Sequence, residues 1–408
     1  MTTRQERLFA GHGGRILVTL TVAWATLQLG RFLLPPLLPA IIADLGMTTL
    51  TAGIALGALQ AVYALTQFPS GRLSDRFTRP SLIVPGLIAL TGAVLLLSVA
   101  TSVLLFVAAT VLFGVGKGLF AVPSRAQLSD LFVAKRGRAL GLYAAGTDFG
   151  GILAAVGGVL VTGSGALLGL PGATLSQLQL GWRDPFAPIG VVLALVAIAY
   201  VGWNRDPYRL GRTDVELVAT VRRLATTRAQ REALLAFALF YFVVGAWVNF
   251  LPTYLTRAKG VSEPVAAGLF AVVFIVGIVV KPVAGLVSDR VPRRAVAAGG
   301  MLFGVVALSG VVLAGSLALI AVAIAVYAVG YKTVFPVADA LLLDAAPDEN
   351  VGGDLGAARA VFIGGGALGP VYMGGLADIA SFELAFGGLG ACLVGAAALL
   401  LRGLWGDR

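Results

Sequence analysis

GRLSDRFTR, residues 71–79, returns as GLVSDRVPR at residues 285–293. Both read Gly-x-x-x-Asp-Arg, and Asp75 and Asp289 stand 214 residues apart. Two further echoes keep nearly the same offset. KGLF at 117–120 answers KTVF at 332–335, and Leu140-Gly141 answers Leu355-Gly356, both 215 apart. A shared offset of half the chain marks an internal duplication. Each copy must then hold the same set of elements.

Composition says what those elements are. Of the 408 residues, 58% are hydrophobic and only 12% charged, and the mean hydropathy is +0.93. Soluble domains carry about a quarter charged residues. Many apolar runs approach the ~20 residues that a helix needs to cross a bilayer, and the 54 glycines suit closely packed membrane helices. The expected fold class is therefore an all-α membrane protein. The one cysteine, Cys392, excludes an internal disulfide, and no metal site is expected. The one histidine, His12, lies in the N-terminal tail, away from any buried proton relay. The run Ile16–Ile42 is too long for a signal-peptide core and reads as a retained first span.

Apolar runs between polar breaks define twelve spans, near 16–42, 50–71, 81–100, 102–124, 139–162, 184–203, 233–256, 264–285, 295–314, 316–338, 355–377 and 384–401. Lys and Arg gather on one side of them: in the N-terminal tail, in the even-numbered loops (seven arginines in the sixth) and at the C-terminus. The other loops offer only Arg183, Arg257 and Lys259. The positive-inside rule places both termini in the cytoplasm of a multi-pass cell-membrane protein. The tenth loop is an exception, carrying Asp344, Asp348, Glu349 and Asp354; acidic residues contribute little to orientation. This sidedness explains most of the +10 net charge, so no nucleic-acid partner is expected. The duplication divides the chain into an N-terminal six-helix bundle (1–203), a cytoplasmic linker (204–232) and a C-terminal six-helix bundle (233–408). Within the linker, 214–231 reads as a basic amphipathic surface helix.

With twelve spans, a six-span repeat and the two Gly-x-x-x-Asp-Arg loops, the sequence resembles the major facilitator superfamily of secondary transporters. The family's loop after its second helix is matched by Gly71, Leu73, Asp75, Arg76 and Arg79, with Thr78 and Pro80 departing from it. The second copy keeps Gly285, Asp289, Arg290, Arg293 and Arg294. The resemblance implies that these loops form a cytoplasmic gate, with Arg125 at the end of the fourth span as a partner for Asp75. Physically, Gly71 and Gly285 would let a neighbouring helix approach, and the carboxylates would accept from a facing helix N-terminus.

Charges deep in the spans are the candidate functional groups, because each costs about 2.5–3.5 kcal/mol at the bilayer centre. They are Arg31, Lys117, Asp148, Lys281, Lys332 and Arg359, with Asp339 near the end of the tenth span. In the family's architecture spans 1, 4, 7 and 10 line the central cavity, which implies that Arg31, Lys117 and Lys332 face substrate. Helical spacing sets Trp24, Gln28, Arg31 and Pro35 on one face, and Asn249 falls near the repeat counterpart of Arg31. Arg359 and Lys281 can instead snorkel to the interface or brace the gate. Asp148 can pair with Lys117 or carry a coupled proton.

Three cations against one deep acid predict a positive cavity. Arg31, Lys117, Lys332, Gln28 and Asn249 are thus read as binding a small organic anion, a carboxylate or phosphate ester, carried by alternating access. Proton coupling through Asp148 and anion exchange both remain open. An exporter of drugs or neutral solutes and a non-transporting membrane sensor are the alternatives. Without a phosphate-binding loop, metal cluster or buried histidine, an enzyme is not expected, nor any cofactor. The expected partners are substrate, protons and lipid, and the expected state is monomeric.

Overall fold

The computed structural model describes residues 7–76, 78–163, 180–209, 228–345 and 351–406. The expectations placed on the side chains of Asp75, Arg76 and Asp339, and on the linker helix through residue 227, lie outside the described residues.

Among the described residues twelve helices form, each containing a stretch long and apolar enough to cross a membrane. They are α1 (Gly11–Leu45), α2 (Thr49–Arg76), α3 (Pro80–Ser98), α4 (Val103–Leu131), α5 (Arg136–Val161), α6 (Phe186–Trp203), α7 (Arg228–Arg257), α8 (Glu263–Ser288), α9 (Arg293–Leu313), α10 (Leu317–Ala345), α11 (Val351–Ile379) and α12 (Phe382–Gly406). Each matches one apolar run. Most extend past it, since hydropathy marks only the part suited to hydrocarbon while backbone hydrogen bonding continues into polar sequence. Thus α4 runs on to Leu131 and α7 starts at Arg228, inside the segment assigned to the linker. Local signals set several ends. Gly46 takes the left-handed conformation (φ 62°) and donates its N–H to the Ile42 carbonyl, which closes α1. Ser102 Oγ accepts from Leu105 N–H at 3.3 Å and opens α4.

The packing repeats with the sequence. In the N-terminal half α1 packs on α5 and α6, α2 on α4, and α3 on α4 and α6. Adding six to every label gives the C-terminal half: α7 on α11 and α12, α8 on α10, and α9 on α10 and α12. The halves meet along two main seams, α2 with α11 and α5 with α8, which exchange under the same operation.

An even number of spans puts both termini on one face, and the seams are tight at the other. There the Thr49 and Leu50 N–H groups, opening α2, donate to Asp378 Oδ1 and Oδ2 at 3.2 and 2.7 Å. Arg257 donates to Thr49 Oγ1 at 3.0 Å. A Cβ on Gly374 would run into the Thr49 carbonyl, so glycine permits this approach. At the terminal face, among the described residues, no helix of the other half packs closely on Gly71 or Gly285. A Cβ on Gly285 would meet nothing within 4 Å, and one on Gly71 only Val122 of its own half at 3.6 Å. The described partners of Arg79 (Ser74 and Asp130) and of Arg293 (Asp289 and the Ala340 carbonyl) also lie in their own halves. The Asp289 side chain is 68% exposed, and Arg290 is exposed.

Candidate substrate site

Asp148 sits midway along α5 and is almost fully buried. Its carboxylate reaches across the seam: Lys332 Nζ of α10 donates to Oδ1 at 3.0 Å, and Lys281 Nζ of α8 donates to Oδ2. Gly277 makes the room, for a Cβ there would stand 2.9 Å from Asp148 Oδ1 and 3.0 Å from Lys332 Cε. Two expectations are corrected here. Asp148 is not paired with Lys117, because its face of α5 fronts α8; Gly151, one turn on, lies against the Phe274 ring. Lys281 does not snorkel to the interface, because its ammonium group is held by Asp148.

Lys117, the repeat counterpart of Lys332, is placed differently. It is 6% exposed, and its ammonium lies over the Tyr63 ring at 4.4 Å and near the Trp24 ring at 5.9 Å. The α1–α5 contact builds this platform. Trp24 stacks on Tyr143 at 5.1 Å and donates its indole N–H to Thr147 Oγ1 at 2.8 Å; the Tyr143 hydroxyl bonds Ser124 at 2.8 Å. Gly150 allows the approach, since a Cβ there would stand 2.9 Å from Gln28 Cβ. Arg125, assigned to the gate beside Asp75, has its guanidinium 5.2 Å from the Trp24 ring and 5.8 Å from the Tyr143 ring. It belongs to the same cluster as Lys117, one residue beyond the expected end of the span.

Arg31 and Arg125 both repel the Lys117 charge. Arg31 Nε is buried without a hydrogen-bond partner, and its guanidinium lies over the Phe32 ring at 4.8 Å. Among the described residues no acidic side chain pairs with Arg31, Lys117 or Arg125. Gln28 is buried with Oε1 unpartnered. Asn249 is buried, but its amide donates to the Gly245 carbonyl at 2.6 Å, within its own helix. The C-terminal half holds a cluster of rings: Phe240, Tyr241, Tyr331, Phe335 and Phe362 pack with centroids 5.1–6.3 Å apart, and Lys332 Nζ lies 5.2 Å from the Tyr331 ring. Arg359 is half-buried near the start of α11.

Tyr63 and its helix α2 are absent from the sequence reading of the site. The signal was there, in Gln60, Tyr63 and Gln67 at one-turn spacing on a single face of an otherwise apolar helix.

Two pseudo-symmetric six-helix bundles, closed at one face and enclosing buried cations near their common seam, define a multi-pass membrane protein of the secondary-transporter type. The sequence pattern of the Major Facilitator Superfamily matches residues 20–280 and again 233–408, and the chain belongs to that superfamily. It is 27% identical over 304 residues to the Probable sulfoacetate transporter SauU of Cupriavidus necator, spanning 69% of this chain and 66% of that one. It is 29% identical over 301 residues to a chloramphenicol resistance protein of Streptomyces lividans, spanning 70% of each. The fold matches a crystal structure of a bacterial homolog to human lysosomal transporter Spinster, with a TM-score of 0.77, 20% identity, and 95% and 96% of the two chains covered.

Proposed function

We propose that this protein is a secondary transporter of a small organic anion, a carboxylate or phosphate ester, moved across the cell membrane by alternating access. The observation that carries the reading is the unmatched charge at the seam. Asp148 is committed to Lys281 and Lys332, while Lys117 is buried and Arg31 half-buried with its Nε enclosed, neither with a described acidic partner. Such cations in a low-dielectric interior are stabilised by an anion from outside. Arg31 would bind it through its planar N–H groups and Lys117 as a point charge, with Gln28 beside them. The name of the Cupriavidus relative agrees with an anionic substrate.

The positive-inside distribution supports cytoplasmic termini. In that orientation the tight seam at Thr49, Arg257 and Asp378 closes the outer side. The loops carrying Gly71, Asp75, Arg76 and Arg79, and Gly285, Asp289, Arg290 and Arg293, then form the cytoplasmic gate that engages in the opposite state. Lys332 and Asp148 couple the halves, because their ion pair crosses the seam about which the bundles rock.

The name of the Streptomyces relative favours a second reading, resistance through handling of a neutral toxic compound. Counterflow in proteoliposomes with panels of organic anions, neutral solutes and lipophilic cations separates the two. Exchange of anions, weakened by Lys117→Gln, supports the proposal; exchange confined to neutral or cationic compounds refutes it. Asp148→Asn decides the coupling. A proton carrier would lose pH-driven uptake and keep anion exchange, whereas a purely structural acid would lose both.

A further inference from the structure

We infer that α2 supplies an uncharged, hydroxyl-reading half of the site, through Gln60 and Gln67, and that the substrate is a hydroxylated carboxylate rather than a bare anion. The inference rests on the anion reading above and adds the rest of the molecule attached to the anionic group.

The faces of α2 are assigned by its neighbours. Gly53, Gly57 and Ala64 lie against α11. Leu59, Val62, Thr66 and Ser70 lie against α4, where Ser70 Oγ donates to the Gly118 carbonyl at 2.8 Å. Ile54 and Leu65 are exposed on the outside of the bundle. At 100° per residue one arc remains, between the α4 and α11 faces, and it holds Leu56, Gln60, Tyr63 and Gln67. Tyr63 shows where that arc looks, because its ring is the one beneath the Lys117 ammonium at 4.4 Å. Gln60 and Gln67 flank it, one turn to either side.

Both amide oxygens lack a partner. Gln60 Oε1 and Gln67 Oε1 are buried without a hydrogen-bond partner, as is Gln28 Oε1 on the facing side of the cluster, and Gln67 is only 1% exposed. Buried polar groups are ordinarily paired, and each exception calls for a partner. Turning an amide over exchanges its ends but leaves an oxygen that only a donor can satisfy. A carboxylate, sulfonate or nitrate group carries no donor. An ammonium group carries donors but would be repelled by Arg31, Lys117 and Arg125. Hydroxyl groups meet both conditions, since they donate to the amide oxygens, accept from the amide nitrogens and bear no charge. The site thus divides into cations for the acid group and a ladder of amides on α2 and α1 for the hydroxyls.

The test uses the full-length protein in proteoliposomes and two equal-charge pairs, glycerate against propionate and tartrate against succinate, as competitors of counterflow and as stabilisers in thermal unfolding. The hydroxylated member of each pair should bind about tenfold more tightly, the loss of one neutral hydrogen bond being worth about two- to tenfold. Gln60→Met with Gln67→Met should remove most of that preference while leaving propionate and succinate within about twofold of their wild-type affinity. If the double variant is recovered unfolded, the two single variants are read in the same way, each removing part of the preference. No preference in the wild type, or a preference that survives the variants, overturns the inference and leaves the anion reading standing. Binding of no carboxylate in either pair also overturns the inference, while the anion reading falls only if the wider counterflow panel shows no exchange of any organic anion.

Discussion

Lys117 and Lys332 occupy equivalent places in the two copies of the repeat and both lie over aromatic rings, yet only Lys332 meets a described carboxylate. Lys332 donates to Asp148 at 3.0 Å, beside Lys281, in a site carved by Gly277. Lys117 has aromatic faces beneath it and cations around it. A duplicated charge has been neutralised from within in one half and left to be neutralised from outside in the other. Symmetry of the backbone can therefore coexist with different roles for equivalent side chains: the C-terminal lysine pairs across the seam, and under the proposed function the N-terminal one receives the anion.

This comparison can be broken or sharpened by measuring thermal unfolding in detergent. The largest effect is expected for Asp148→Asn, which leaves the buried Lys332 beside the half-buried Lys281 without a carboxylate and should cost about 3–5 kcal/mol. The pair Asp148→Leu with Lys332→Met should recover much of that loss, because no uncompensated charge remains on α10. A loss of the same size in Lys117→Gln would break the comparison. Next comes Gly277→Val, whose added carbons collide with Asp148 and Lys332 and should cost about 1–3 kcal/mol. Asp378→Ala removes the carboxylate that caps α2 from the other half and should cost about 0.5–2 kcal/mol. It should also raise the reactivity of a cysteine placed at Thr49, as the closed face loosens. The smallest change in stability is expected for Lys117→Gln. Losing contact with Tyr63 and Trp24 is offset by removing a buried charge, so stability should hold or rise by up to ~2 kcal/mol. Anion uptake should nevertheless fall in that variant, which separates binding from folding.

Much of this architecture was legible in the chain. The twelve apolar runs locate the helices because crossing hydrocarbon imposes a length and a composition that no other residue pattern imitates. The Gly-x-x-x-Asp-Arg echo and the KGLF/KTVF echo disclosed the duplication, and with it the equivalence of Lys117 and Lys332. Spacing along α1 grouped Trp24, Gln28 and Arg31 correctly on one face. The pairing of Asp148 was not legible, since periodicity tells which residues share a face but not which helix that face meets. The same limit hid Tyr63, Gln60 and Gln67, on a helix read only as an apolar span. It also hid the approach of Arg125 to Trp24 and Tyr143, because the end of an apolar run does not show which rings its helix meets. For Asn249 the position was predicted, but a bond to the Gly245 carbonyl four residues back takes its amide.

The sequence by itself determined the number of spans, the internal repeat, the membrane setting and the excess of buried cations. All four follow from local composition and order, which a linear chain carries in full. Only the tertiary structure decided which cation is matched and which is left open. That depends on contacts between residues 133 and 184 positions apart, across a seam where glycines such as Gly277 set the fit. A charge in a membrane helix announces that it needs a partner; whether the partner is the protein's own carboxylate or an incoming anion is settled by how the helices pack.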